Sequence, residues 1–183
     1  MSSILPVFWS IVGHIALALF FIVLFLLLGV YFIYTLIAIF RGAAYVPTTH
    51  ARVARLMDLA VISPGEKLLD LGSGDGRILL AAAKRGAVCI GIEINPLLCI
   101  YSRLRMKFFG AKNVTISQAN FWDVSLADVD ILTVYLIPGR MGQLKEKVFA
   151  EMKSGSRVVT GVYPFPDWQP EKREGDVCLF RVP

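Results

Sequence analysis

The stretch Lys67-Leu68-Leu69-Asp70-Leu71-Gly72-Ser73-Gly74-Asp75-Gly76-Arg77 decides how this sequence folds. An apolar run of strand length passes into a loop with glycine at every second position, then into a segment of helical character from Gly76 to Arg85 that Gly86 closes. Strand, glycine loop and helix in that order form the ligand-binding corner of a parallel α/β sheet. The glycines allow a sharp turn and a close backbone approach, and free amides at the helix start would favour a carboxylate or phosphate. A dinucleotide fingerprint requires Gly-x-Gly-x-x-Gly; counted from Gly72, the sixth position is Arg77, so NAD takes second place. No Gly-Lys-Ser/Thr closes the loop, which removes the P-loop.

Asp70 at the end of the first strand suits a ligand carrying an ammonium group, where a pyrophosphate would meet a second negative charge. Glu93 ends the next strand about 20 residues on, where a carboxylate can accept from both ribose hydroxyls. Asn120, Phe121 and Trp122 follow the third strand and offer an amide for an adenine edge and aromatic surface for its ring. Ammonium, ribose and adenine together describe S-adenosyl-L-methionine. Each piece also has a plainer role: Glu93 as a cap for the helix after Asn95, Phe121 and Trp122 as core.

Outward from this corner, strands and helices alternate. Helix is expected over His50–Val61 with Thr48 or Thr49 as N-cap, and strands over Lys67–Leu71, Val88–Ile94, Val114–Ser117, Asp130–Ile137, Ser156–Tyr163 and Val177–Val182. Helices follow Asn95-Pro96 and Gly139, and Pro164 to Glu174 reads as a loop. Such alternation predicts a doubly wound, mostly parallel sheet with ligands at the carboxyl ends of its strands.

All of the 19 Lys and Arg and 14 Asp and Glu lie beyond Phe40, so the 183-residue chain divides into an uncharged opening and an ordinary remainder. The expected division is a transmembrane anchor at 1–41, a linker and pre-domain helix at 42–62, and a ligand-binding domain at 63–183. The opening exceeds the apolar length of a secretory signal and lacks its leading basic residues. One span centred on Ile15 to Ile39 fits; nothing near Leu19 to Leu24 offers the polar turn that a hairpin would need. Arg41, Arg52 and Arg55 follow the span, placing the domain on the cytoplasmic side, or the matrix side in an organelle. His14 is expected at headgroup depth. Three cysteines cannot all pair internally and point to a reducing compartment. No metal is expected.

With these residues in place, the sequence resembles the class I (seven-strand) methyltransferases, through Leu71 to Arg77 and Gly91-Ile92-Glu93-Ile94-Asn95-Pro96. It is further similar to the small membrane-anchored protein-lysine methyltransferases of mitochondria, through Tyr45-Val46-Pro47-Thr48 and Phe165-Pro166-Asp167-Trp168-Gln169-Pro170. Members of that family act on the adenine nucleotide translocase or the c subunit of ATP synthase. The resemblance implies that Asp70, Gly72, Ser73, Gly74, Asp75 and Gly76 hold the methionine end, Glu93 the ribose and Asn120 the adenine. Asn120 departs from the acid usual there, and the chain ends soon after one last strand, so the terminal hairpin is expected to be abbreviated.

Methyl transfer from a sulfonium depends chiefly on alignment, so no conspicuous base is required. Tyr45, Thr48 and Tyr135 are the catalytic candidates, and Tyr45, Pro47, Thr48 and Pro138 the acceptor-side candidates. The missing Asn/Asp-Pro-Pro-Tyr/Phe motif lowers amide and base methylation. The net charge of +5 is explained by the bilayer rather than nucleic acid, with Arg103, Arg105 and Lys107 facing headgroups or simply solvent. The expected partners are the lipid bilayer and an integral membrane protein with an exposed lysine. Methylation of a quinone or lipid, and a non-catalytic adenosylmethionine binder, remain as alternatives.

Overall fold

The computed structural model describes residues 4–41 and 47–183. Helix α1 (Ile4–Arg41) is followed by α2 (His50–Ala60), β1 (Lys67–Leu71), α3 (Arg77–Ala83), β2 (Val88–Glu93), α4 (Pro96–Phe108) and β3 (Val114–Gln118). A 3₁₀ turn at Phe121–Asp123 precedes β4 (Ile131–Val134), α5 (Pro138–Glu151), β5 (Arg157–Gly161), β6 (Lys172–Glu174) and β7 (Val177–Arg181).

One seven-stranded sheet runs in the order β3-β2-β1-β4-β5-β7-β6. From β3 through β5 the strands are parallel, whereas β7 runs antiparallel to β5 and β6 antiparallel to β7. The order reverses between β1 and β4, so the crevice for a ligand opens there, beyond Leu71 and Val134. The terminal hairpin is complete in its strand count, with β6 only three residues long. Its sequence, Lys172-Arg173-Glu174, has no apolar alternation because an edge strand needs none.

Alternation along β1 splits the core in two. Leu68 points to the layer of α2, α3 and α4, packing with Leu56, Met57, Leu79 and Ile131. Leu69 and Leu71 point to the α5 layer with Leu132, Met141, Leu144 and Val148. Each fully buried leucine contributes roughly 1.5–3 kcal/mol. Helix α2, expected to precede the domain, is part of this core. Thr49 caps it, its hydroxyl accepting from the Arg52 amide at 3.2 Å. Strand β4 ends at Val134 rather than Ile137, since Pro138 begins α5 and the chain must leave the sheet to reach it.

The late motif is structural: the Trp168 ring lies 5.0 Å from Phe165, 4.9 Å from Phe180 and 4.7 Å from Phe149. All three cysteines are free and buried. Val7–Ala38 of α1, 32 residues with mean hydropathy 3.0, is long and apolar enough to cross a membrane.

Candidate functional site

An open cavity of about 890 Å³ lies at the carboxyl ends of β1, β2, β3 and β4, within the size range of ligand pockets. The loop after β1 is anchored to β2: the Gly72 and Ser73 amides donate to the Ile92 carbonyl at 2.9 and 3.0 Å, and the Gly74 amide to Glu93 Oε2 at 2.9 Å. The Gly76 amide turns back to Ser73 and that of Arg77 to Asp75 Oδ1. These amides are therefore spent inside the loop, and the anion cradle expected of them is not formed by these five. Gly76 caps α3 at φ 75°, and a Cβ there would stand 2.3 Å from Ser102 Oγ, so its role is helix packing rather than ligand approach.

What the loop leaves open is acidic. The buried Asp70 carboxylate accepts from Thr133 Oγ1 at 2.8 Å through Oδ1, while Oδ2 has no partner. Burial pushes its pKa up to about 7; the Thr133 hydrogen bond opposes this, and the charges of Glu93 and Asp75 add to it. Ser73 Oγ is also buried without a partner on the same cavity. An orphaned buried carboxylate oxygen favours a cation, and a hydroxyl beside it can serve the carboxylate of the same amino-acid group. Glu93 accepts from Gly74 and, through Oε1, from the Asn95 amide at 2.9 Å. Two backbone bonds leave it further acceptor capacity for ribose hydroxyls.

Asp75 lines the cavity but is engaged: Arg77 grips it through several bonds and Arg105 Nη1 reaches Oδ2 at 2.5 Å. Burial raises its pKa, yet the Arg77 bonds and the two guanidinium charges hold it below the usual carboxylate range. Arg105 thus faces inward, and Arg103 donates to the Ile116 carbonyl at 2.7 and 3.1 Å. The expected surface cluster of Arg103, Arg105 and Lys107 is dismantled by these bonds, leaving Lys107 exposed.

Asn120 and the buried Phe121 line the cavity, and Trp122 is not among the lining residues. Asn120 also caps the 3₁₀ turn, accepting from the Trp122 amide at 3.3 Å and donating to Asp123 at 3.1 Å. Trp122 stacks on Phe121, with ring centroids 4.8 Å apart, and packs against the α5-side core. The set of Asp70, Ser73, Glu93, Asn120 and Phe121 fits the ammonium, carboxylate, ribose and adenine of an adenosylmethionine-type ligand.

The opposite wall carries Pro47, Thr48 and Tyr135. Thr48 is buried; its hydroxyl accepts from Arg52 Nη1 at 3.3 Å and its carbonyl from Arg77 Nη1. Arg52 donates through Nε and Nη2 to Asp176 Oδ2 at 2.9 and 2.5 Å, and its guanidinium lies 5.9 Å from the Tyr135 ring centroid. The Arg52 hydrogen bond holds the Asp176 carboxyl below its ordinary value. Gly161 makes room for Tyr135: a Cβ there would meet Tyr135 Cδ2 at 2.8 Å. Arg52, Asp176 and Gly161 support the site without a local sequence signal. Pro138 opens α5, exposed and off the cavity. Tyr45 lies outside the described residues. Among the described residues no group of three or more His, Cys, Asp or Glu could hold a metal ion.

Comparison with known proteins meets this geometry. Residues 70–172 match the family model of the ANTKMT methyltransferase domain. The chain is 36% identical over 133 residues to the rat (Rattus norvegicus) lysine N-methyltransferase of the ATP synthase c-ring protein, covering 72% of this chain and 61% of the relative. It is 40% identical over 128 residues to the mouse (Mus musculus) adenine nucleotide translocase lysine N-methyltransferase, covering 69% and 56%. The chain therefore spans little more than half the length of these curated relatives. Among solved structures, an RNA methyltransferase from Salinibacter ruber, in complex with S-adenosyl-L-homocysteine, superposes with a TM-score of 0.72 at 34% identity, over 75% of this chain and 94% of that one. The mixed seven-stranded sheet is that of the class I methyltransferases. With the glycine loop, Glu93 and nearly the whole sheet inside the matched span, this chain belongs to the family of the ANTKMT methyltransferase domain.

Proposed function

We propose that this chain is a membrane-anchored S-adenosyl-L-methionine-dependent methyltransferase that methylates a lysine side chain of an integral membrane protein. The observation that carries it is the pair of buried, unpartnered polar atoms on one cavity, Asp70 Oδ2 and Ser73 Oγ. They suit the α-amino and α-carboxylate groups of a methionine moiety, with Glu93 left for ribose and Asn120 and Phe121 for adenine. The lysine specificity is supported by the two relatives named above.

The bound donor supplies an electrophilic methyl group on a sulfonium. The chain's own residues align the acceptor against it. Pro47, Thr48 and Tyr135 form the facing wall, held by Arg52 and Arg77. A wall of proline and aromatic surface desolvates a lysine ammonium and lowers its pKa, favouring the neutral amine that can attack. Helix α1 crosses the bilayer, and the basic residues that follow it keep the domain on the cytoplasmic or matrix side.

The test is to incubate the full-length protein in lipid nanodiscs with labelled adenosylmethionine and membrane proteins, then hydrolyse the protein. Methyl-lysine in the hydrolysate is expected. Label confined to lipid or quinone would replace the proposed acceptor with a small molecule.

A further inference from the structure

Along most of α1 the side chains are open on every side, as in Phe20, Phe25 and Phe32 at 60%, 77% and 61% exposure. The pattern changes in the last turns. Tyr34 and Thr35 are half-buried and Ala38 is only 7% exposed. Positions 34, 35 and 38 share one helix face, and all three line the same cavity as Asp70, Glu93 and Tyr135. Tyr34 and Thr35 are also hydroxyl-bearing residues within a helix that is otherwise almost wholly apolar.

We infer that the end of the membrane helix is a wall of the acceptor chamber, with Tyr34, Thr35 and Ala38 as specificity-determining residues, so that the acceptor lysine enters beside α1 at headgroup depth. This inference rests on the proposed function and specifies where its substrate is presented.

Length supports the placement. At ~1.5 Å per residue the 32-residue apolar stretch measures about 48 Å against a hydrocarbon core of ~30 Å. A surplus of about a dozen residues lets the final turns of α1 stand in the headgroup layer. A chamber walled by those turns opens at that level. Ala38 has the small side chain that close approach of helix and domain needs, and the Tyr34 ring supplies apolar surface and a phenol together, suited to a lysine whose stem is apolar and whose end is charged. Thr35 satisfies its own donor on the Tyr31 carbonyl at 2.8 Å, so its place on the cavity costs no unpaired proton. A helix serving as a tether alone would leave methyl transfer indifferent to these side chains.

Two measurements on the full-length protein in nanodiscs test this. The first compares Ala38→Trp and the pair Tyr34→Leu with Thr35→Leu against Phe32→Leu, whose side chain is lipid-facing. The wall variants should lower kcat/KM for the membrane acceptor about tenfold or more by displacing it, with S-adenosylhomocysteine affinity and membrane insertion unchanged. Phe32→Leu should match the parent. Equal rates in all variants would overturn the inference. The second needs no acceptor: an environment-sensitive dye on Thr35→Cys should shift its emission when S-adenosylhomocysteine binds, and the same dye on Phe32→Cys should not, the native cysteines being buried. An unmoved dye at position 35 with binding intact would overturn the wall. Absence of protein methylation by the parent, with the dye still responding, would overturn the proposed acceptor and leave the helix as a wall of the donor cavity.

Discussion

Thr133 donates to one oxygen of Asp70 at 2.8 Å and leaves the other oxygen of that buried carboxylate without a partner. The arrangement satisfies half of a charge that a cationic ligand would complete.

A pH dependence follows, because the Asp70 pKa is pushed up to about 7. A folded-state pKa above the unfolded value of ~3.9 contributes stability that is complete below about pH 4 and lost as pH rises through about 7. The ligand-free protein should therefore lose stability across that window, and Asp70→Asn should flatten the loss. An ammonium group favours the ionised form, so affinity for adenosylmethionine should rise with pH to about 7 and then level off. Calorimetry at pH 6 in two buffers of different ionisation enthalpy should show proton release that Asp70→Asn abolishes. Asp70→Asn should also weaken binding by about 2 kcal/mol, the scale of a charged hydrogen bond.

Glu93 joins the donor loop to the ligand. Glu93→Ala removes the acceptor of the Gly74 and Asn95 amides, both at 2.9 Å, together with the expected ribose contact. Affinity for S-adenosylhomocysteine should fall about tenfold or more. Unchanged affinity in calorimetry would remove Glu93 from the site.

Gly76→Ala should destabilise by at least 1–2 kcal/mol, the rough cost of a left-handed non-glycine residue, with the Ser102 contact adding to it. Replacing Ser102 by glycine in the same protein should recover the steric part and leave the backbone part. Thermal unfolding of the four proteins separates the two.

The Arg52–Asp176 pair should act on the acceptor rather than the donor. Arg52→Ala frees Thr48 and Tyr135, so KM for the acceptor should rise while S-adenosylhomocysteine affinity holds. Because both side chains are partly exposed, 21% and 34%, the pair itself should couple by only ~1 kcal/mol in a double-mutant cycle with Asp176→Ala.

Much of this molecule is legible in its sequence, for physical reasons that also mark the boundary. Lys67 to Arg77 and Glu93 could be placed because a strand, its loop and the next strand end are local in sequence and carry period-two burial. Phe121 and Trp122 are adjacent, yet only Phe121 borders the cavity; which of the pair turns inward is set by the 3₁₀ turn that Asn120 caps. The inward course of Arg105 depends on Asp75, which sits 30 residues earlier. Arg52 and Asp176 are 124 residues apart, a separation that no local pattern spans. Strand β6 escapes notice because three charged residues at a sheet edge look like loop. The presence of Tyr34 and Thr35 on the cavity is hidden by an apolar helix whose sequence speaks only of lipid.

The most direct measurement is transfer of radiolabelled methyl from adenosylmethionine into membranes of a strain lacking this protein, using the full-length chain and its Glu93→Ala variant and separating protein from lipid. Label in a discrete protein band with the parent chain, lost with Glu93→Ala and recovered as methyl-lysine, is the predicted result. Label in the lipid extract alone, or equal protein labelling by both chains, would contradict it.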